Sequence, residues 1–391
     1  MPEDSTSSTE VPHDTSDRYL ALLDLGFGED GEDDPPLSPG TAAEQAGEKI
    51  GRYHLLTLIG SGGFGNVWLA EQTEPIQRRV ALKLIKPGMD SREIIARFEA
   101  ERQTLALMDH PNIARVLDAG TSTSGRPYFV LELVEGKPIT THCDELGLGV
   151  RERLGLFIDV CHAVQHAHQK AILHRDLKPS NILIAEVDGK MVPKVIDFGI
   201  AKALGVSDEV LKSSLLATRA GVVIGTPDYM SPEQAGSVID VDTRSDIYAL
   251  GVILYELLTG KTPLASSGRP LAFDEVLREI REGEPPRPSI CLAKAMTGEE
   301  GSSTETTKLI RLLRGDLDRV TMMALEKDRR RRYGTATALA LDIRAYLDGK
   351  TVTAMAPTWS YRFGKFARRN AAAMVASVLV AAAVLAGTVV S

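Results

Sequence analysis

Between Gly60 and Val67 the chain reads Gly60-Ser61-Gly62-Gly63-Phe64-Gly65-Asn66-Val67, a GxGxxGxV spacing. Missing side chains let backbone N–H groups close over oxygens, so the chemistry on offer is phosphate binding. Two familiar glycine-loop readings fail on context. A dinucleotide site needs a helix opening at the glycines and an acid about twenty residues on; here Val67-Trp68-Leu69 is strand-like and Ile85 stands at that distance. A Walker loop needs Gly-Lys-Ser/Thr after the glycines, and none follows. Alternation in Val80-Ala81-Leu82-Lys83 puts Ala81 and Lys83 on one face, a small residue to sit against a base and an ammonium to reach phosphates. Further on, His174-Arg175-Asp176-Leu177-Lys178-Pro179-Ser180-Asn181 is followed sixteen residues after Asn181 by Asp197-Phe198-Gly199.

These groups need elements to hold them. Leu55 to Ile59, the glycines, then Val67 to Ala70 read as strand, turn, strand, with Arg79 to Ile85 as a third strand. The glycines therefore sit in a hairpin. Apolar residues at helical spacing from Arg97 to Leu105, ahead of a stop at His110-Pro111-Asn112, form a helix on which a glutamate can hold Lys83. Between Ile50 and about Leu347 short β-rich runs come first and helical periodicity later, which predicts a small sheet lobe followed by a helical lobe.

In this order the glycine hairpin, the Val-Ala-Leu-Lys strand, the His174 to Asn181 run and Asp197-Phe198-Gly199 resemble the eukaryotic-type protein kinases, especially the bacterial serine/threonine kinases anchored by one membrane span. The resemblance covers about residues 50–347. It implies an α+β, two-lobed kinase fold over 49–350, with an N-lobe at about 49–134 and a C-lobe at about 135–350. It also implies ATP and Mg²⁺ as cofactors and Ser/Thr-bearing proteins as substrates.

Phosphoryl transfer is mostly positioning and charge neutralisation, and the residue types suit that task. By similarity, Asp197 binds Mg²⁺ bridging the β- and γ-phosphates and Asn181 completes a second metal position. Asp176 resembles the base for the substrate hydroxyl. Lys178, which tyrosine-specific relatives usually lack, would neutralise the γ-phosphate and points to serine/threonine specificity. Glu101 is the match for the helix partner of Lys83, with Glu99 as the alternative. Gly60, Ser61, Gly62, Gly63, Phe64 and Gly65 would cover the phosphates, and Ile59, Val67, Ala81 and Leu183 would wall the adenine pocket. Leu131 would gate that pocket, with the backbone of Glu132 and Val134 meeting adenine. Gly225 to Glu233 resembles the peptide-docking end of an activation segment, with Ser231 where alanine is usual. Glu233 is matched to Arg332, and Asp246 to a brace under the catalytic loop. Ser207, Ser213, Ser214 and Thr218 are acceptor hydroxyls for a phosphate that would pair with Arg175, Thr218 first among them.

Two other clusters are read blandly. His162, His166 and His168 are packing residues of a helix rather than zinc ligands, and Arg329 to Arg332 is a solvated helix edge rather than a nucleic-acid site. No nucleic-acid partner is expected. The Gly-, Glu- and Thr-rich insert from Thr297 to Thr307 reads as a flexible loop.

Hydrophobic residues at 43% and charged residues at 25% of 391 exclude wholesale disorder, collagen and a polytopic channel. Cys143, Cys161 and Cys291 are odd in number and widely spaced, as in a reduced, cytosol-facing domain. The net charge of −8 is uneven: residues 1–50 carry 13 Asp/Glu against Arg18 and Lys49, a balance of −11 that leaves +3 for the rest. Residues 1–48 are thus expected to be a disordered acidic tail, with Tyr19 to Leu25 its one apolar patch.

At the other end, Ala371 to Val390 carries no charge and has the length of a transmembrane helix. The preceding segment, 351–370, holds Arg362, Lys365, Arg368 and Arg369 among Trp359, Tyr361, Phe363 and Phe366. That pattern predicts a single-pass protein of the cell membrane with its kinase domain in the cytoplasm. A span ending one residue before Ser391 suits both a tail anchor and the front part of a longer protein, and either allows a homodimer for trans-autophosphorylation. Two further readings compete with an active protein kinase. A catalytically silent kinase-fold scaffold usually lacks one of Lys83, Asp176 and Asp197, which are all here. A small-molecule phosphotransferase generally lacks the 225–233 segment.

Overall fold

The computed structural model describes residues 44–62, 65–86, 105, 107–198, 227–236, 241–265, 273–296, 304–355, 359 and 365. Gly63, Phe64, Glu99, Glu101, Gly199, Ser207, Ser213, Ser214, Thr218, the 19–25 patch and the 371–390 span lie outside these residues. The chain divides into two units, residues 1–90 with 118–133, and 91–117 with 134–391.

The first unit is a sheet of six strands: β1 (Lys49–Ile50), β2 (Tyr53–Gly62), β3 (Gly65–Gln72), β4 (Arg78–Ile85), β5 (Val116–Thr121) and β6 (Pro127–Leu131), in the order β1-β2-β3-β4-β6-β5. Val80 to Ile85 is buried at every position, as a central strand covered on both faces must be. The strands run further than the sequence pattern predicts. Pairing continues through Gly60↔Val67, Ser61↔Asn66 and Gly62↔Gly65, so most of the glycine cluster belongs to the ladder and not to the turn. The tail boundary also moves: residues 44–48, expected to be disordered, are hydrogen-bonded to β2 through Gly47 N to Leu55 O at 2.8 Å and Leu55 N to Glu48 O at 2.9 Å.

The second unit is mainly helical. Its small sheet joins β7 (Gly136–Pro138), β8 (Ile182–Val187) and β9 (Lys190–Val195). Its helices are α1 (Ile139–Glu145), α2 (Val150–Gln169), α3 (Pro232–Ala235), α4 (Thr243–Thr259), α5 (Phe273–Glu282), α6 (Pro288–Met296), α7 (Thr304–Leu313), α8 (Asp316–Ala324) and α9 (Ala336–Leu347). The start of α7 corrects the expected 297–307 loop from Thr304 onward: Leu313, fully buried, gives that stretch a face to bury. The stretch 91–117, read with the small lobe, groups with this unit. Asn112 and Ala114 lie along β9, with Asn112 Nδ2 donating to Pro193 O at 2.9 Å and Ala114 N to Val195 O at 3.0 Å.

Helix α4 is the spine of this unit. Asp242 caps its first turn by accepting from Arg244 N at 2.8 Å, and Gly260, at φ 72°, ends it in the left-handed conformation that favours glycine. Almost every residue between is buried, so the helix runs through the core of its unit. Each Leu or Ile so buried contributes about 1.5–3 kcal/mol. The approach to α8 is close: a Cβ on Gly251 would stand 2.8 Å from the Ala324 Cβ, so a β-branched residue there would force the two helices apart. Cys143, Cys161 and Cys291 are buried and unbridged, and burial raises the Cys143 thiol to about 11. Among the described residues no helix is long and apolar enough to cross a membrane.

Candidate active site

In the sheet unit, the register aligns Gly60 with Val67 and Val67 with Lys83, placing glycine hairpin and lysine in one row of adjacent strands. Val67, Ala81 and Lys83 share a face, because directly paired residues do so and β4 alternates. Lys83 is buried at 8% exposure, and Ala81 pairs with Leu131, one residue before Glu132. Ile59 sits at an irregularity of register between Leu58 and Gly60. The glycines differ in purpose. A Cβ at Gly62 would meet open space, whereas one at Gly65 would collide with the Leu84 carbonyl. Gly65 is therefore required for the close packing of β3 on β4, a reason the sequence pattern hid.

In the helical unit the site is built upward from Asp246, a buried carboxylate on α4. It accepts from His174 N and Arg175 N, both at 2.9 Å, and bonds His168 Nε2 at 2.7 Å. Burial pushes this carboxyl up, but the His168 bond and the charges and N–H around His174 outweigh it, leaving Asp246 below the ordinary aspartate range. These bonds hold Arg175 at φ 67°, a left-handed conformation costly for a side chain with a Cβ. The chain beyond is thereby aimed. Asp176 extends a carboxylate with 58% of its side-chain surface exposed, 3.0 Å from Lys178 Nζ. Asn181, nearly buried, donates from Nδ2 to Asp176 O at 2.7 Å and to Asp176 Oδ2 at 3.3 Å. Its amide oxygen is thus turned away from Asp176.

The turn after β9 that carries Asp197 is stitched to the same loop. Ile196 N donates to Asn181 O and the His174 ring bonds Ile196 O, each at 2.9 Å. Phe198 packs on the His174 ring at 4.7 Å between centroids, and Asp197 itself takes φ 62°. Strained backbone held by so many bonds is a mark of a functional position. Leu183 lies on β8, paired with Pro138 and Lys194. Val134 also belongs to this unit.

The docking segment is anchored as the resemblance implied. Arg332 binds Glu233 through two bonds of 2.7 and 2.8 Å. Ser231 has a use the sequence reading missed: its Oγ caps α3 by accepting from Gln234 N at 3.4 Å, while Gln234 Oε1 accepts from Ser231 N at 3.0 Å. The Ser-x-x-Gln spacing carries that signal. Gln234 Nε2 then reaches Arg175 O at 2.9 Å, tying α3 to the catalytic loop. The sequence marks His168 only as a packing residue of its helix, and nothing local to it points to Asp246. The arginine run is no helix edge: Arg329–Arg331 is a short 3₁₀ turn, and Arg332 is buried.

Replacing Asp246 by Asn tests this brace. An amide keeps one acceptor but turns a donor toward His174 N, Arg175 N or His168, so a stability loss of about 1–3 kcal/mol is expected. Chemical denaturation at neutral pH measures it, and an unchanged midpoint would remove Asp246 as organiser of the loop.

The protein kinase domain family matches residues 53–340. The chain is 41% identical over 244 residues to the serine/threonine-protein kinase PknA of Mycobacterium tuberculosis, a match covering 61% of this chain and 53% of that protein. It is 36% identical over 305 residues to the serine/threonine-protein kinase PrkC of Bacillus subtilis, covering 77% of this chain and 42% of that one. The chain thus spans about half the length of the curated relatives it matches. Among solved structures, the Mycobacterium tuberculosis PknI kinase domain matches with a TM-score of 0.55 at 25% identity, covering 78% of this chain.

Proposed function

Because the chain belongs to the protein kinase family, we propose that it is a serine/threonine protein kinase, moving the γ-phosphoryl group of ATP to protein hydroxyls. One observation carries the reading: Lys178 Nζ and Asn181 Nδ2 stand 3.0 and 3.3 Å from the Asp176 carboxylate, on a loop fixed by a buried carboxylate. The donors suit a hard divalent cation, since the Asn181 bonds to Asp176 leave its amide oxygen for a ligand and Asp197 adds a carboxylate. Asn181 and Asp197 would therefore hold Mg²⁺. When bound, Mg²⁺ supplies charge neutralisation across the β- and γ-phosphates.

The chain's own residues do the rest. Asp176 accepts the proton of the substrate hydroxyl at its exposed carboxylate. Lys178 neutralises charge on the transferring group, and Lys83 holds the nucleotide phosphates with Gly60 to Gly65 above them. Within the sheet unit, Ile59, Val67, Ala81 and the backbone of Glu132 receive adenine. Arg175, whose Nε is buried without a hydrogen-bond partner among the described residues, is the cation for a phosphate on Thr218, Ser213 or Ser214. Residues 371–390 place the kinase domain at the cytoplasmic face of the cell membrane, where two chains can phosphorylate one another.

The test is direct. With Mg²⁺ and ATP, the purified chain is expected to label itself and a basic test protein on serine and threonine. A Lys83→Met chain should do so about 10²-fold more slowly. Phosphate appearing only on a small metabolite would replace this reading with a small-molecule phosphotransferase, and no transfer at all would leave a scaffold.

A further inference from the structure

Residues 44–50 precede the stretch that matches the protein kinase domain, yet they are folded onto the sheet. At their head the Glu44 carboxylate pairs with Arg126 Nη1, and the two side chains are only 9% and 6% exposed. The other donors of Arg126 converge on one atom. Nε and Nη2 reach the Ile85 carbonyl at 2.9 and 2.7 Å. Ile85 is the last residue of β4, one beyond the final β6 pair, Leu84↔Tyr128. Arg126 thus supplies hydrogen bonds where the ladder to β6 stops. Lys83 lies two residues back on the same face of the strand.

A buried guanidinium needs a counter-charge, and a carbonyl provides none. Burial lowers the proton affinity of Arg126, a sign of how poorly the cation tolerates the site by itself. Among the described residues its ion pair is with Glu44. Without that carboxylate the guanidinium is driven toward water, Ile85 O loses two donors, and the end of β4 is released. A shift there moves the Lys83 ammonium, and small misplacements of a charge-neutralising group are costly in binding.

We propose that Glu44 and Arg126 are positioning residues for Lys83, so that the segment leading into the kinase domain sets nucleotide affinity. The proposal rests on Lys83 being the nucleotide lysine. The test uses a Glu44→Gln variant of the full chain with two readouts. The KM for Mg²⁺–ATP should rise about tenfold, while kcat at saturating ATP and the KM for a protein substrate stay near wild type. Amide exchange at Lys83 to Lys86 in the nucleotide-free protein should accelerate, with β8 and β9 unchanged as an internal control for folding. Glu44→Asp, which keeps the charge, should recover most of both effects. Wild-type ATP KM or wild-type exchange in Glu44→Gln overturns the proposal, as does a parallel fall in kcat and both affinities. Should the unsubstituted chain transfer no phosphate, the kinase reading fails; exchange at Lys83 to Lys86 then decides alone, faster exchange supporting the Glu44–Arg126 device and unchanged exchange overturning it.

Discussion

An Asp176→Asn chain is expected to bind Mg²⁺–ATP as the unsubstituted protein does and to transfer phosphate about 10²–10⁴-fold more slowly. The substitution is nearly isosteric, and the loop does not depend on the carboxylate for its shape. Asn181 Nδ2 is held mainly by the Asp176 main-chain oxygen at 2.7 Å, and the backbone on either side is pinned by Asp246 through His174 and Arg175. What the variant loses is a group that accepts a proton and pairs with Lys178, 3.0 Å away. Direct nucleotide binding and initial rates of transfer separate the two effects. A normal rate in Asp176→Asn would remove the residue from the chemistry, whereas lost nucleotide binding would mean that the amide had disturbed Asn181 instead.

What was legible in the sequence was contiguous. The glycine hairpin, the Val80 to Lys83 strand and the His174 to Asn181 run each fall within eight residues, so type and spacing travel together. Two longer links, Glu233 with Arg332 and Asp246 beneath the loop, were reached only through the family resemblance. Contacts without that support stayed hidden. His168 and Asp246 are 78 residues apart, and nothing around His168 distinguishes it from His162 or His166 on the same helix. The Glu44 pairing spans 82 positions and begins in a stretch whose acidic, small-residue composition reads as disorder. Composition reports the average cost of ordering a segment; a single buried ion pair with three backbone bonds offsets that cost locally. Thr304 to Thr307, expected as the end of a loop, is helical for the same reason: the Gly- and Thr-rich composition of 297–307 masks a helix that runs on to the buried Leu313.

The largest stability effect is expected at Arg332. All five of its N–H donors have acceptors: Glu233 takes two, and the carbonyls of Glu326, Arg244 and Lys327 take the others at 2.6, 3.0 and 3.2 Å. The guanidinium also lies 5.0 Å over the Tyr248 ring. Arg332→Met keeps the stem but leaves Glu233 as a buried, uncompensated carboxylate, a loss of about 3–5 kcal/mol. Adding Glu233→Gln should return part of that loss, because the stranded charge goes with it.

The pH dependence has a definite sign. Burial pushes the Glu233 carboxyl up, but the bonds from Arg332 and Ser245 outweigh it and hold the group below the ordinary glutamate range. The stabilisation is therefore present above about pH 4.3 and lost as pH falls through the folded-state value. In Arg332→Met the same carboxyl is desolvated and unpaired, so protonation relieves the strain. The gap between variant and unsubstituted protein should be widest near neutral pH and close in acid. Denaturation midpoints at pH 7 and pH 4 measure this, and a gap independent of pH would assign the loss to packing rather than to the ion pair. Because Gln234 on α3 bonds the Arg175 carbonyl, releasing Glu233 also loosens the loop that carries Asp176. Arg332→Met should consequently lower transfer to protein substrates even at temperatures where it remains folded.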